Sequence, residues 1–336
     1  MKRSIFRFMM ATFAFATSLT VPAHARDGLE TAFDQALGTD LRAPRSFSAT
    51  HSDPLSRTIA QIANGENGRI GVAALDLVTG REISILGDQR FPMASTSKIA
   101  VAATFLEGVE KGRWSLTSEF PLMIPVRSEK FSSSTAPVRK GDYMQAIDLI
   151  ELMITRSSNP ATDALLAVVG GPQAVNDWIR RAGIRDFRID RDIATLVRDD
   201  GEFDPATHID PRDSATPRAM IELISGLYGG RWLNAQSRGI ILGAMERCRT
   251  GTRRIPALMP ADVTVAHKTG SLNNTSSDVG IIRTADGRAY AVAIYVTGQG
   301  SRLNREAKIA SIARAIYDGY STWQPGEGSG WVNARY

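Results

Sequence analysis

Ser95-Thr96-Ser97-Lys98 sets a hydroxyl and an amine three residues apart, where a strand and loop give way to a helical period. Both side chains then share one helix face, and one can take the other's proton. A helix start also presents free backbone N–H groups, the donors that stabilise a tetrahedral oxyanion. The same four residues also read as a serine cap followed by an exposed lysine. Ser157-Ser158-Asn159 follows an apolar helical run and precedes Pro160. On its own it reads as a cap, with Asn159 at the N-cap and Pro160 as first helical residue. The same turn also lets Ser157 and Asn159 point into a cleft, where a hydroxyl can relay a proton and an amide can bind an acyl-chain carbonyl. Lys268-Thr269-Gly270-Ser271 ends a strand-like run. There a charge and a hydroxyl beside a glycine suit an anionic substrate lying along the strand edge, and an edge-strand lysine before a turn is the plainer alternative.

These residues need elements to position them. Asp53 ahead of Pro54 and the series Leu55, Ile59, Ile62 predict a capped first helix. Arg69 to Asp76, the Thr79-Gly80 turn and Glu82 to Leu86 read as a β-hairpin. From Thr96 the period becomes helical, through Ile99, Ala102, Phe105, Leu106 and Val109 to Gly112. Further helices are predicted over Tyr143 to Thr155, Pro160 to Val169, Pro172 to Ala182, Pro217 to Tyr228 and Ala235 to Cys248. An irregular acidic stretch from Asp190 to Asp213 is long enough to be a functional loop. Strand character returns in Val263 to His267, Val279 to Thr284 and Tyr290 to Thr297, and a last helix spans Arg305 to Tyr317. The order implies an α/β (α+β) fold: one antiparallel sheet flanked by helices, built from residues 53–94 and 255–322, with an all-helical subdomain from 95–254 inserted into it. A cleft between the two lobes is the natural site.

Lys2, Arg3 and Arg7, an apolar stretch Phe8 to Val21, and Ala23-His24-Ala25 follow the order of a secretory signal, so residues 1–25 are expected to be cleaved and the protein exported to the periplasm. About 14 apolar residues fall short of the roughly 20 that span a bilayer, so no membrane span is expected after cleavage. Residues 26–52 read as a leader and 323–336 as a peripheral tail. Cleavage removes three cations and no acid, taking the formal charge from +5 to +2. With no basic block left, nucleic acid is not an expected partner, and a monomer acting on a small molecule is. The lone Cys248 cannot form an intrachain disulfide and sits in the apolar helical pattern as a core thiol. His51, His208 and His267 lack ligand spacing, so neither metal nor cofactor is expected, and there is no phosphate-loop motif and no Gly-x-Ser-x-Gly elbow.

In combination and order, the three motifs resemble class A β-lactamases over roughly Leu55 to Tyr317, with Phe91-Pro92-Met93 ahead of the serine and Asp278-Val279-Gly280 after Lys268. The resemblance implies a β-lactamase/transpeptidase-like fold and a serine hydrolase that acylates on Ser95. Lys98 would activate Ser95, and Ser157 would pass a proton to the leaving nitrogen. Asn159 would hold the substrate side chain, and the backbone amides of Ser95 and Ser271 would form the oxyanion hole. Lys268, Thr269, Gly270 and Ser271 would line the substrate strand. Thr269 and Arg254, the latter within Thr250-Gly251-Thr252-Arg253-Arg254-Ile255, would bind the substrate carboxylate.

The family's Glu-x-x-Leu-Asn loop, whose glutamate activates the deacylating water, has no counterpart here. The corresponding loop would open at Asp190-Arg191 and close at Arg212-Asp213. Glu202 is its only glutamate and the first candidate base, with Asp200 and Asp199 behind it, and all three also read as solvated loop carboxylates. Ser158 stands where the family usually has Asp. Three functions follow: a β-lactamase with a displaced loop carboxylate; a D-Ala-D-Ala-directed peptidase or esterase-like relative that releases penicillin slowly; and a β-lactam-binding sensor, against which no appended signalling domain is found.

Overall fold

The computed structural model describes residues 53–65 and 67–322. The expected signal segment (1–25), leader (26–52) and tail (323–336) lie outside these residues. Helix α1 (Pro54–Ala63) starts where the Asp53 carboxylate accepts the Ser56 amide and Pro54 takes the first turn. Strands β1 (Ile70–Asp76) and β2 (Glu82–Ile85) form the expected hairpin, and the two-residue strands β3 (Phe91–Pro92), β6 (Phe187–Arg188) and β7 (Ser214–Ala215) pair in a small sheet of their own. The last third of the chain supplies β8 (Thr264–Leu272), β9 (Thr275–Arg283) and β10 (Ala289–Thr297). All five make one antiparallel sheet in the order β2-β1-β10-β9-β8, with Ile70 opposite Val296 and Asp76 opposite Tyr290, so the two ends of the fold meet at its centre.

Alternation along β10 assigns the two faces. Tyr290, Val292, Ile294 and Val296 pack with Ile59 of α1 and with Ile309, Ile312 and Ile316 of α9 (Arg302–Thr322). Ala289, Ala291, Ala293 and Tyr295 face the other way, into a core shared with the remaining helices. Three alanines on that face let helices approach closely. Among these helices α2 (Lys98–Glu110) is buried nearly all round, through Ile99, Val101, Phe105 and Leu106, which is why a lysine at its first position is fully covered. Around it stand α3 (Ala146–Thr155), α4 (Asn159–Val169), α5 (Gly171–Arg181), α7 (Pro217–Gly229) and α8 (Ala235–Glu246).

Four expectations are corrected. Tyr143 to Gln145 are strand rather than helix: they end β5 (Val138–Gln145), which pairs with β4 (Glu119–Pro125) in a hairpin absent from the sequence reading. The acidic stretch contains a short helix α6 (Ile193–Arg198), capped by Asp192. Strand β8 does not stop at His267 but runs on through the whole Lys268–Ser271 motif, because each of these residues has a β9 partner. Cys248 lies past the end of α8, half-buried rather than in the core.

Candidate active site

Ser95 sits on a tight 3₁₀ turn, Ala94–Ser97, that leads directly into α2. The hydroxyls of Thr96 and Ser97 fold back onto the carbonyls of Met93 and Ala94 at 2.8 Å, which leaves the Ser95 side chain part-exposed and free to face substrate. Ala94 adopts φ +49°, a strained conformation for a residue with a Cβ and a mark of a turn held in place by its surroundings.

Lys98 begins α2 on the same face. Its Nζ donates to Ser157 O and to Asn159 Oδ1, both at 2.7 Å, and lies 3.3 Å from Ser157 Oγ. Lys268 Nζ reaches the same Ser157 hydroxyl from β8 at 2.9 Å. The two ammonium nitrogens are thus within about 6 Å of each other, a distance at which like charges repel by about 3 kcal/mol at an effective dielectric near 20. Burial, then the charge of Lys268, hold Lys98 well below the ordinary lysine range. Burial also brings Lys268 down, to about 8.

Ser157 closes the turn between α3 and α4 at φ +58°. The cap here is Ser158, whose hydroxyl accepts the Ala161 amide, rather than Asn159. This one-residue difference frees the Asn159 amide for Lys98. One helical turn farther along α4, on the same face, Asp163 is buried and accepts the amides of Ile193 and Ala194 at 2.7 and 2.9 Å, from the start of α6. Burial pushes its carboxyl up to about 6, against the pull of these amides and of the Lys98 charge. Asp163 is the residue the sequence reading missed: its spacing of four from Asn159 places it on the same helix face, but its partners come from α6, a distant segment.

On β8, a Cβ at Gly270 would meet Ser277 Oγ at 2.4 Å and Met93 O at 2.5 Å. The glycine therefore serves first to let β8 lie against the Ser95 turn. Thr269 Oγ1 bonds Thr250 Oγ1 at 2.6 Å, and Ser271 is exposed beside it. Arg254 is almost fully buried. Its Nη1 donates to Gly270 O and Ser277 O, its Nη2 to Ser271 Oγ and Glu306, and its Nε to Glu306. All five donors are committed to the protein, so the expected direct bond to a substrate carboxylate is not available in this arrangement.

The loop is closed by Arg191 and Asp213 at 2.6 Å, and Asp213 also accepts the Asp190 and Arg191 amides. Glu202 is not brought to the cluster around Ser95: its carboxylate pairs with Arg212 at 2.6 Å. It lines a small pocket with Pro92, Arg191, Asp199, Asp200 and Asn273, and none of Ser95, Lys98 and Ser157 borders it. Asp199 is held by Arg198 and the Phe131 amide, and Asp200 by the Asn273 amide. The three loop carboxylates are thus bound by cations and amides of the loop and its neighbours. Among the described residues no group of His, Cys, Asp and Glu is arranged to hold a metal ion.

Comparison with known proteins agrees with this architecture. A family model described as the β-lactamase enzyme family matches residues 54–320. The β-lactamase SME-1 of Serratia marcescens is 30% identical over 252 residues, spanning 74% of this chain and 83% of that protein. The imipenem-hydrolysing β-lactamase of Enterobacter cloacae is 30% identical over 269 residues, 78% of this chain and 88% of that one. Among solved structures, a variant of the last common ancestor of Gram-negative bacteria β-lactamase class A matches with a TM-score of 0.68 at 33% identity, over 80% of this chain and 99% of that one. A β-lactamase from Chitinophaga pinensis matches with a TM-score of 0.70 at 25% identity, over 80% of this chain and all of that one. Fold, matched length and sequence identity together place this chain in the β-lactamase enzyme family, among the class A serine β-lactamases.

Proposed function

We propose that this protein hydrolyses β-lactams through an acyl-enzyme on Ser95, with Lys98 as the base. The observation that carries this reading is the set of partners around Lys98 Nζ. A neutral amine has two N–H donors, and two acceptors at 2.7 Å take them. The remaining lone pair can then accept a proton from the Ser95 hydroxyl as it attacks the lactam carbonyl. Ser157 Oγ accepts from Lys268 at 2.9 Å and lies 3.3 Å from Lys98. It can receive that proton from Lys98 while giving its own to the leaving nitrogen. The amides of Ser95 and Ser271 hold the oxyanion. Lys268 and Thr269 bind the substrate carboxylate, Asn159 the acyl side chain, and Arg254 acts through Ser271 and Gly270, which it holds in place.

Lys98 also supplies the base for deacylation in this reading. Once Ser157 has protonated the leaving group and been reprotonated, Lys98 is neutral again and can activate water. The confinement of Glu202 by Arg212 supports this over a loop carboxylate. It equally favours slow release, as in a D-Ala-D-Ala-directed peptidase that penicillin acylates. The order of charged, apolar and small residues over 1–25 supports export to the periplasm. A steady-state assay with a chromogenic cephalosporin tests the function. Many turnovers per molecule, abolished in Ser95→Ala, are expected, and a single stoichiometric burst would replace the β-lactamase with the slow-releasing peptidase.

A further inference from the structure

The pocket beside the loop carries a carboxylate that the chemistry at Ser95 does not use. Along β8 the substrate carboxylate is assigned to Lys268 and Thr269 and the oxyanion to Ser271, so the acyl side chain leaves on the far side, toward Leu272 and Asn273. At about 3.3 Å per residue these two lie about 3 and 7 Å past Ser271. Both line the pocket, and across it the loop presents Asp199, Asp200, Glu202 and Asp210. The direction of the strand therefore sends the acyl substituent to this pocket.

Three of the four acids are already neutralised. Asp199 pairs with Arg198 at 2.7 Å, and Glu202 and Asp210 share Arg212 at 2.6 and 2.7 Å. Arg191, the one arginine of the lining, is held by Asp213, and Arg69 beneath the loop by Pro205 O. His208 stacks on Phe203 with ring centroids 4.1 Å apart. Asp200 differs. Its Oδ2 accepts the Asn273 amide at 2.7 Å, and among the described residues its Oδ1 has no partner and no cation pairs with its carboxylate. The Lys130 ammonium nearby donates to the Asp200 backbone carbonyl instead.

Thr275 supplies an independent observation. It lines the same pocket from β9, is 1% exposed, and its Oγ1 has no hydrogen-bond partner. A buried hydroxyl left unpaired is costly, and a donor entering the pocket satisfies it. The carboxylates do not converge as metal ligands do. One open carboxylate oxygen and one hydroxyl in a small pocket suit a compact cation with several N–H donors, an ammonium.

We propose that Asp200 and Thr275 form a subsite for an ammonium group on the acyl side chain, so that β-lactams with an α-amino acyl substituent are preferred. The assignment rests on the Ser95 reading above, which sets the direction of the substrate along β8. The ammonium donates to Asp200 Oδ1 and Thr275 Oγ1, and Asn273, held by the same carboxylate, forms the wall beside it. Lys130 weakens this attraction without cancelling it, because its exposed charge is screened by water and salt. The bound ammonium is expected to raise kcat/KM about 5-fold, the size of a part-exposed ion pair.

The test compares benzylpenicillin with ampicillin, which differs from it by an ammonium on the acyl α-carbon, using the full chain. The ratio of the two kcat/KM values is the readout, since any structural loss and the titrations of Lys98 and Lys268 enter both. Asp200→Asn, which keeps an acceptor for the Asn273 amide, is expected to lower the ampicillin-to-benzylpenicillin ratio about 5-fold, mainly through the KM of ampicillin. In the unaltered protein the ratio falls by a similar factor between pH 7 and 9, as an α-ammonium titrating at about 8 loses its proton, and in Asp200→Asn it stays flat. A ratio unchanged by Asp200→Asn, or flat with pH in the unaltered protein, overturns the subsite. An equal loss for both penicillins, with acyl-enzyme accumulating, also overturns it and makes Asp200 the deacylating base. If Ser95 is acylated without turnover, the β-lactamase reading fails, and the ratio of acylation rates decides the subsite in the same way. If neither penicillin acylates Ser95, both readings fall.

Discussion

Two lysines share one serine hydroxyl in this site, and their opposite needs set the pH dependence. Lys98 works when neutral, and its pKa is depressed by burial and by Lys268, so activity rises as pH climbs through it. Lys268 works when charged and is lowered to about 8, so carboxylate binding is lost as pH rises past that value. A bell-shaped kcat/KM profile with an alkaline limb near 8 is expected, and Lys268→Arg should move that limb upward because guanidinium keeps its proton. Asp163 acts on the other limb. It is the carboxylate that favours charged Lys98, so Asp163→Asn should shift the acid limb to lower pH, whereas a purely structural loss would lower kcat/KM at every pH without moving the limb. Glu202→Gln should leave acylation and deacylation within about 3-fold of wild type; a deacylation loss of about 10²–10⁴ in quench experiments would return the base to Glu202. That Lys98, Ser157, Asn159 and Lys268 would meet was legible in the sequence from the order of the three motifs taken together, since each alone also reads as a cap or an edge lysine. Asp163 was not, since a carboxylate on a helix shows its worth only when another segment's amides and a distant lysine are brought to it.

At the scale of elements, the site is a strand laid against a turn, and that packing depends on what is missing from Gly270. Gly270→Ala should force β8 away from Met93 and the Ser95 turn, costing about 1–3 kcal/mol of stability, measured by denaturant unfolding, and slowing acylation by penicillin. Unchanged acylation in the variant would separate the strand's position from the oxyanion hole. Most elements here were readable from period and punctuation. Prolines mark the starts of α1, α4, α5 and α7, and a continuous apolar run rich in β-branched and aromatic residues marks β10. The β4–β5 hairpin was not readable because β5 is largely solvent-facing and polar, β4 is half-buried without a polar alternation, and Pro121 and Pro125 interrupt β4. Its end was mistaken for helix because Tyr143 and Met144 run straight into the apolar pattern of α3. The six-residue α6 is too short for a period to declare itself, and it exists because Asp192 caps it and Asp163 holds its first amides.

Across the whole molecule, the 190–213 loop is tied from many sides rather than draped over the site. Arg69, buried beneath it, donates to Pro205 O at 2.9 Å, Asp213 holds its mouth, and Asn274 Nδ2 bonds Asp204 at 2.8 Å. Each tie joins segments more than twenty residues apart, which is why the loop's limits could be read from Arg191 and Asp213 while the aim of its carboxylates could not. The same holds for the sheet: its five strands were legible as strands, but that residues 70–76 and 290–296 would pair at its centre follows only from their both being buried on two faces. The loop's confinement of Glu202 and the proximity of Lys98 to Ser157 lead to one central claim, a Ser95 acyl-enzyme that forms and clears by way of Lys98. Time-resolved mass spectrometry of the intact protein with a penicillin tests it most directly. The account predicts an adduct mapped to Ser95 that appears within the first turnover, decays as substrate is consumed, and is absent from Ser95→Ala; an adduct on another residue, or one that persists in Ser95→Ala, would contradict it.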